Sequence, residues 1–285
     1  MIISRTPFRI SFFGGGTDYP QWFNEHDGAI LGTTIDKYCY VMLHDGKSWN
    51  TFDLPTNAGL ASSSAYTVGL LRACTELNKM TIAKLATTWE QDKMNGNVGS
   101  QDQYLCSLGG FHLLRFDKFG IRDTVLPPDT VNPLQDYLML FDTHQYRKAS
   151  DIVAHQLSRM KKNRNVLMQM VAMVDDGLDT IKKSDWVGFG KLLNQAWVLK
   201  KQLSKYISTS EVDAIYEGGI KVGAIGGKLL GGGGGGFIIF FVEPDKQESV
   251  RKALSELTYV PFKFEKEGTK VIYRDNNTLI EKVKT

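Results

Sequence analysis

The stretch Asn57-Ala58-Gly59-Leu60-Ala61-Ser62-Ser63-Ser64-Ala65 decides the reading of this chain. Small residues run straight into a helical apolar pattern formed by Tyr66, Leu70, Leu71, Ala73, Cys74 and Leu77. The first N–H groups of a helix have no intrahelical acceptor, and they lie at the positive end of the helix dipole. Three hydroxyls and several bare amides at that end make a phosphate site, and a nucleoside triphosphate is the expected occupant.

The loop is not of the Walker type. Gly46-Lys47-Ser48 lacks the upstream glycine, because Val41 stands there, and Gly227-Lys228 is followed by Leu229. The six glycines from Gly231 to Gly236 satisfy a dinucleotide pattern trivially, but the run Phe237-Ile238-Ile239-Phe240-Phe241-Val242 after them reads as a buried strand. A dinucleotide fold needs a helix at that point. On its own the run reads as a flexible loop.

Composition narrows the class. The chain has 285 residues, 42% hydrophobic and 23% charged, in the range of globular domains. A net charge of +3 with dispersed Lys and Arg gives no reason to expect a nucleic-acid partner. The apolar run 237–242 is far too short for a membrane span. No secretion signal precedes the first strand, and Cys39, Cys74 and Cys106 are isolated, so reduced thiols and a cytoplasmic location are expected. The five histidines have no metal-ligand spacing.

Strands are expected at 1–13, 29–35, 38–43, 111–116, 137–142 and 237–242, with shorter pieces at 261–264 and 270–273. Helices are expected at about 65–76, 82–93, 101–105, 150–183, 186–203, 210–218 and 250–257. The segment 45–57 has no clear pattern. Pro127-Pro128 and Asn132-Pro133 punctuate a turn-rich connection, the best candidate for a domain boundary. Strands and helices mix without regular alternation, which argues for an α+β architecture.

Three motifs then stand in a telling order. They are Pro7-Phe8-Arg9-Ile10-Ser11-Phe12-Phe13-Gly14-Gly15-Gly16-Thr17-Asp18-Tyr19, the serine loop, and Lys228-Leu229-Leu230 followed by the glycine run. In this the chain resembles the GHMP small-molecule kinases over nearly its whole length. Within them, Gly-Gly-Thr-Asp-Tyr-Pro at 15–20, Val98-Gly99-Ser100-Gln101-Asp102-Gln103-Tyr104 and Arg147-Lys148-Ala149-Ser150 look most like the D-glycero-D-manno-heptose 7-phosphate 1-kinases. The resemblance implies a two-lobed fold. An N-terminal mixed α/β lobe would occupy 1–133 and a ferredoxin-like C-terminal lobe 134–285.

The resemblance also implies roles. Asp102 matches the family aspartate beside the acceptor hydroxyl, and Arg9 takes the place of a family lysine that neutralises charge on the moving phosphoryl group. Gly59, Leu60, Ala61, Ser62, Ser63 and Ser64 would bind the ATP phosphates. Ser62 and Glu90 would hold Mg2+, with the choice among the three serines open by one position. Asp18, Thr17, Gly16, Gly233, Gly234 and Arg147 would meet a small-molecule sugar phosphate. The plainer alternatives are a dipole-stabilising charge for Asp102, a solvated helix position for Glu90, turn capping for Asp18 and a solvated helix start for Arg147. Two departures stand out. Ala61 replaces a family glycine. Only 45–52 separates the second strand from the loop, where the family carries several tens of residues with the adenine contacts, so missing residues are expected there. Competing readings are another sugar 1-kinase (fucokinase or hexosamine kinase), a non-catalytic sugar-binding protein on the same fold, and a GHMP-fold decarboxylase.

Overall fold

The computed structural model describes residues 1–94, 97–146 and 149–275. The chain opens with β1 (Ile2–Phe13), the short helix α1 (Pro20–Phe23) and the long strand β2 (Gly28–His44). The two strands expected at 29–35 and 38–43 are therefore one. It pairs with β1 from Leu31 to Leu43, and a register shift beside Pro7, which has no N–H to give a ladder, marks the expected break.

The chain runs directly from β2 into a further strand. Asp45 and Gly46 both adopt positive φ, 47° and 71°, and close a two-residue hairpin to β3 (Lys47–Phe52). Strand β3 went unread because it is almost wholly exposed and lacks apolar alternation. The serine loop then leads into α2 (Ser62–Cys74), followed by α3 (Lys79–Lys93) and α4 (Gln101–Leu108). The hairpin β4 (Phe111–Asp117) and β5 (Gly120–Leu126) follows, and the proline-punctuated connection holds α5 (Pro128–Gln135).

The second half runs through β6 (Leu138–Asp142), α6 (Ala149–Ser158), α7 (Arg164–Lys182), α8 (Trp186–Leu203) and α9 (Ser210–Lys221). It ends with β7 (Ala224–Leu229), β8 (Phe237–Val242), α10 (Gln247–Ala253), β9 (Thr258–Val260) and β10 (Lys270–Arg274). The helix expected over 150–183 is two helices. Asn163 separates them, and its side-chain amide donates to the Leu203 carbonyl, fixing the turn to the end of α8. The strand expected at 261–264 amounts to an isolated bridge between Ile35 and Phe264.

Two sheets result. The first has the order β10-β1-β2-β4-β5, with β3 also on β2, and the second β7-β8-β6-β9, all antiparallel where paired in the second. The order of the second sheet and its β-α-β-β-α-β connectivity make it ferredoxin-like. Strand β10 returns to the first sheet and pairs with β1, so the chain after β9 does not stay with the second sheet. One hydrophobic core joins the sheets. Phe12 stacks on Phe111, Phe189 lies edge-on to both Phe12 and Phe13, and Phe241 packs beyond it. Ala58, Leu60, Ala61 and Ala65 belong to that same core, which is how the serine loop is held rigid from beneath.

The glycine run is not a flexible loop. A Cβ placed on Gly59 would lie 2.5 Å from the Leu230 carbonyl oxygen, and one on Gly236 would lie 2.2 Å from the Ala58 carbonyl oxygen. The two loops thus pack backbone against backbone. Gly59→Ala adds that collision to the strain of a side chain at φ 91°, and is expected to cost about 2 kcal/mol or more. Gly120→Ala, at φ 141° with open space around it, carries strain alone and serves as the control. Equilibrium denaturation of both variants tests this; equal losses would contradict the close packing.

Candidate active site

The serine loop is shaped as a concave N–H surface. Asn57, Gly59 and Ala61 all take positive φ, 57°, 91° and 64°, alternating with ordinary residues, a pattern that turns successive amides toward one side. The family glycine replaced by Ala61 thus corresponds to a left-handed position that alanine here occupies. The Ser62 hydroxyl accepts from the Asn57 N–H at 3.0 Å and closes the loop. Leu60 is buried and anchors it, while Ser63 is exposed at the helix start.

The expected pairing of Ser62 with Glu90 is shifted by the geometry. It is the Ser64 hydroxyl that donates to Glu90, at 2.8 Å, and Gln103 donates to the same carboxylate oxygen at 2.6 Å. The other oxygen, Glu90 Oε1, is buried without a partner. Burial and, more weakly, the Asp102 charge push the Glu90 carboxyl above its ordinary value, against the hydrogen bonds from Gln103 and Ser64. A buried carboxylate with an unused oxygen beside a hydroxyl fits one cation. Among the described residues no group of three His, Cys, Asp or Glu could hold a metal. One carboxylate and one hydroxyl suit magnesium that takes its other oxygens from phosphates and water.

Arg9 is the centre of the site. It comes from the middle of β1, and its backbone N–H donates to the Leu60 carbonyl at 3.2 Å. Its Nη1 donates to the Gly59 carbonyl at 2.7 Å, while Nε and Nη2 grip both oxygens of Asp102 at 2.7 and 2.8 Å. The Arg9 side chain is 5% exposed and that of Asp102 25% exposed, so the carboxylate faces the open side. Burial opposes the Arg9 charge, yet Asp102 holds the guanidinium above its ordinary value. Asp102 stands in the first turn of α4, where its charge also suits the helix dipole. Next to it, buried Asp18 accepts from the Gly16 and Gln101 amides at 3.0 and 3.3 Å. Burial first, and the nearby Asp102 second, raise the Asp18 carboxyl. Gly99 carries no side chain because the Asp18 carboxylate lies 2.1 Å from where its Cβ would be.

Other expected contacts are differently employed. The Thr17 hydroxyl is fully buried and bonds the Gly14 and Ala29 backbone, so it shapes the first glycine loop and has no hydrogen left for a sugar. The Gly234 N–H is spent on the Ile207 carbonyl, and Gly233 packs against the Ile207 backbone. Gly16 lines a small cavity with Tyr19, Gln156 and Leu203. Arg147 and Lys148 lie outside the described residues.

Two lysines to which the sequence assigns no role hold the junction from inside. Lys228, fully inside, donates to the Ser11 and Phe12 carbonyls at 3.0 and 2.8 Å. Lys200 donates to the Leu229 and Gly231 carbonyls at 2.9 and 2.6 Å. They pin β1 and the start of the glycine run. Lys200 was detectable, since it falls on the inward stripe of α8 with Leu193, Ala196 and Leu203.

The chain matches the GHMP kinases N terminal domain over residues 44–110 and the GHMP kinases C terminal domain over residues 178–260, together more than half its length. The chain belongs to the GHMP kinase family. The D-glycero-alpha-D-manno-heptose 7-phosphate kinase of Campylobacter jejuni is 29% identical over 335 aligned positions, covering 94% of this chain and 98% of that protein. Those positions outnumber the 285 residues here, so the relative carries segments without a counterpart. The L-fucokinase/L-fucose-1-P guanylyltransferase of Bacteroides fragilis is 31% identical over 70% of this chain and 22% of its own. In fold, a D-glycero-D-manno-heptose 1-phosphate kinase from Bacteroides thetaiotaomicron superposes with a TM-score of 0.78 at 21% identity, covering 97% of this chain and all of that one. This GHMP kinase is a sugar kinase, a phosphotransferase.

Burial, with a smaller push from Arg9, pulls the Lys200 ammonium down to about 7 from 10.5. Between those values the unfolded chain binds this proton and the native protein does not, so native stability gains as pH rises through the window. Lys200→Met should flatten that rise relative to the parent in thermal unfolding between about pH 7 and 10. An unchanged slope would place a fully charged ammonium at this site.

Proposed function

We propose that this kinase transfers the γ-phosphoryl group of ATP to the anomeric hydroxyl of a sugar phosphate. D-glycero-D-manno-heptose 7-phosphate is the substrate favoured by the motifs and by the Campylobacter relative, and heptose 1,7-bisphosphate is the product. The product would serve bacterial heptose-containing surface glycans, and the reaction would run in the cytoplasm. The observation that carries the reading is the Arg9 guanidinium. It touches the serine-loop carbonyl of Gly59 on one side and both Asp102 oxygens on the other, so it stands where a phosphate donor and a hydroxyl acceptor would meet.

The roles follow from the chemistry. The amides of the serine loop take the ATP phosphates. Glu90 and Ser64 hold Mg2+, which spreads charge over the phosphate oxygens when bound. Arg9 spends three of its five N–H groups on Gly59 and Asp102 among the described residues, and the other two can meet charge on the transferred group. Asp102, held at both oxygens and open on its outer side, orients the acceptor hydroxyl and takes its proton as the oxygen–phosphorus bond forms. Asp18 accepts hydrogen bonds from the sugar. A fucokinase-type or hexosamine-kinase acceptor is the competing choice, supported by the similarity to the Bacteroides fragilis enzyme.

Asp102→Asn keeps the volume of the side chain and, through its one carbonyl oxygen, one of the two Arg9 contacts, and it removes the base. Turnover with heptose 7-phosphate should fall by about a hundredfold or more while ATP affinity stays near that of the parent. Steady-state kinetics with separate measurement of ATP binding decide it; parental turnover would remove Asp102 from the chemistry. Complete truncation is a poorer probe, because Asp102→Ala leaves a buried guanidinium unpaired at a cost of about 3–5 kcal/mol.

A further inference from the structure

Beside the Arg9–Asp102 pair, two buried polar atoms have no partner among the described residues. They are Ser11 Oγ and Gln101 Oε1. Ser11 is 7% exposed and Gln101 8% exposed, so both are sealed in protein on nearly every side. An unsatisfied buried polar atom costs about 1–3 kcal/mol, and native folds keep few of them. Two such atoms in one place need a reason.

Their side chains meet beside Gly15. Ser11 lies two residues after Arg9 on β1, and Gln101 immediately precedes Asp102 on α4. A Cβ placed on Gly15 would sit 3.6 Å from Ser11 Oγ and 3.8 Å from the Gln101 amide nitrogen. A side chain at Gly15 would therefore stand against the hydroxyl and the carboxamide, and glycine leaves that side of both free of one. The Gln101 N–H, on the same residue, already donates to Asp18, which fixes the backbone there.

We infer that Ser11 and Gln101 are direct sugar ligands, and that together with Asp18 they select the acceptor by its hydroxyl pattern. Gln101 Oε1 accepts from one sugar hydroxyl, its amide donates to the same or the adjacent oxygen, and Ser11 Oγ completes the contact. A vicinal diol matches this donor–acceptor set, whereas an acceptor lacking one hydroxyl leaves part of the set unpaired. Sites built to bond a hydroxyl reject its absence strongly for that reason. The inference rests on the sugar-kinase reading above and adds the residues that choose the sugar.

Ser11→Ala and Gln101→Met, each close in volume to the parent side chain, separate a ligand role from a structural one. Sugar binding is measured by calorimetry with D-glycero-D-manno-heptose 7-phosphate and L-fucose, alongside the KM for sugar, the KM for ATP, kcat and the unliganded Tm. The expected result is a sugar Kd and KM raised tenfold or more, an ATP KM within twofold of the parent, and an unliganded Tm equal or higher. The Tm expectation follows because each variant deletes an unpaired buried atom and breaks no bond of the resting protein. A sugar Kd within twofold of the parent overturns the inference. So does a lowered Tm with both KM values raised together, or a parent protein that binds neither sugar. A parent that binds sugar without turning it over sinks the kinase mechanism alone, and the binding comparison still decides on Ser11 and Gln101.

Discussion

Backbone meets backbone where the serine loop touches the glycine run, and the site depends on that contact. Gly59 lies against the Leu230 carbonyl, Gly231 against Gly59, and Phe237 N–H donates to the Ala58 carbonyl at 3.0 Å. No side chain other than hydrogen fits between chains so close. The contact brings the C-terminal sheet, through β7 and β8, onto the loop of the N-terminal sheet. It also orients the Gly59 carbonyl toward Arg9. From there the guanidinium reaches Asp102, and through α4 the position of Asp18 is set. The serine loop, Asp102 and Asp18 thus hang on one packed junction.

Such a junction is electrostatically demanding. Arg9, Lys200 and Lys228 are all buried within it; Arg9 opposes the charge of Lys200, and Lys200 and Arg9 oppose that of Lys228. Among the described residues Arg9 alone of the three has a carboxylate partner, whereas Lys228 donates to carbonyls of β1 and Lys200 to those of Leu229 and Gly231. Desolvation therefore draws both ammonium groups below their ordinary value, and Lys228 well below it. On the acidic side, Asp18 and Glu90 are raised by the same burial. These strains gather where an anionic nucleotide, a cation and a hydroxylated acceptor would relieve them, as expected of a site that is finished by its ligands.

The parts legible in the sequence were those where geometry dictates residue type. Glycine at 59 and serine at a helix start follow from close approach and helix-end chemistry. The family resemblance then supplied Asp102, Glu90 and Arg9 and gave the run 231–236 its place. What escaped was set by tertiary phase. Ser62 and Ser64 are chemically identical, and which hydroxyl faces α3 depends on where α2 begins; Ser62 turned back to cap Asn57. The break between α6 and α7 falls at Lys161-Lys162-Asn163-Arg164, inside the stretch expected as one helix, and Asn163 anchors it to the Leu203 carbonyl. The β2–β3 hairpin carried its signal in Asp45-Gly46, a strong turn pair, but the exposed strand after it lacked the alternation that would have supported it. Thr17 shows the opposite error: a motif residue expected to meet the sugar that works inward, on the backbone of Gly14 and Ala29.

The central claim is that donor and acceptor meet across Arg9 and Asp102. The most direct test is a phosphorus NMR spectrum of the products formed by the wild-type protein from ATP, Mg2+ and D-glycero-D-manno-heptose 7-phosphate. ADP should accumulate with an equal amount of a new phosphate resonance coupled to the anomeric proton. ATP left intact, or a phosphate at any other position of the sugar, would contradict the account.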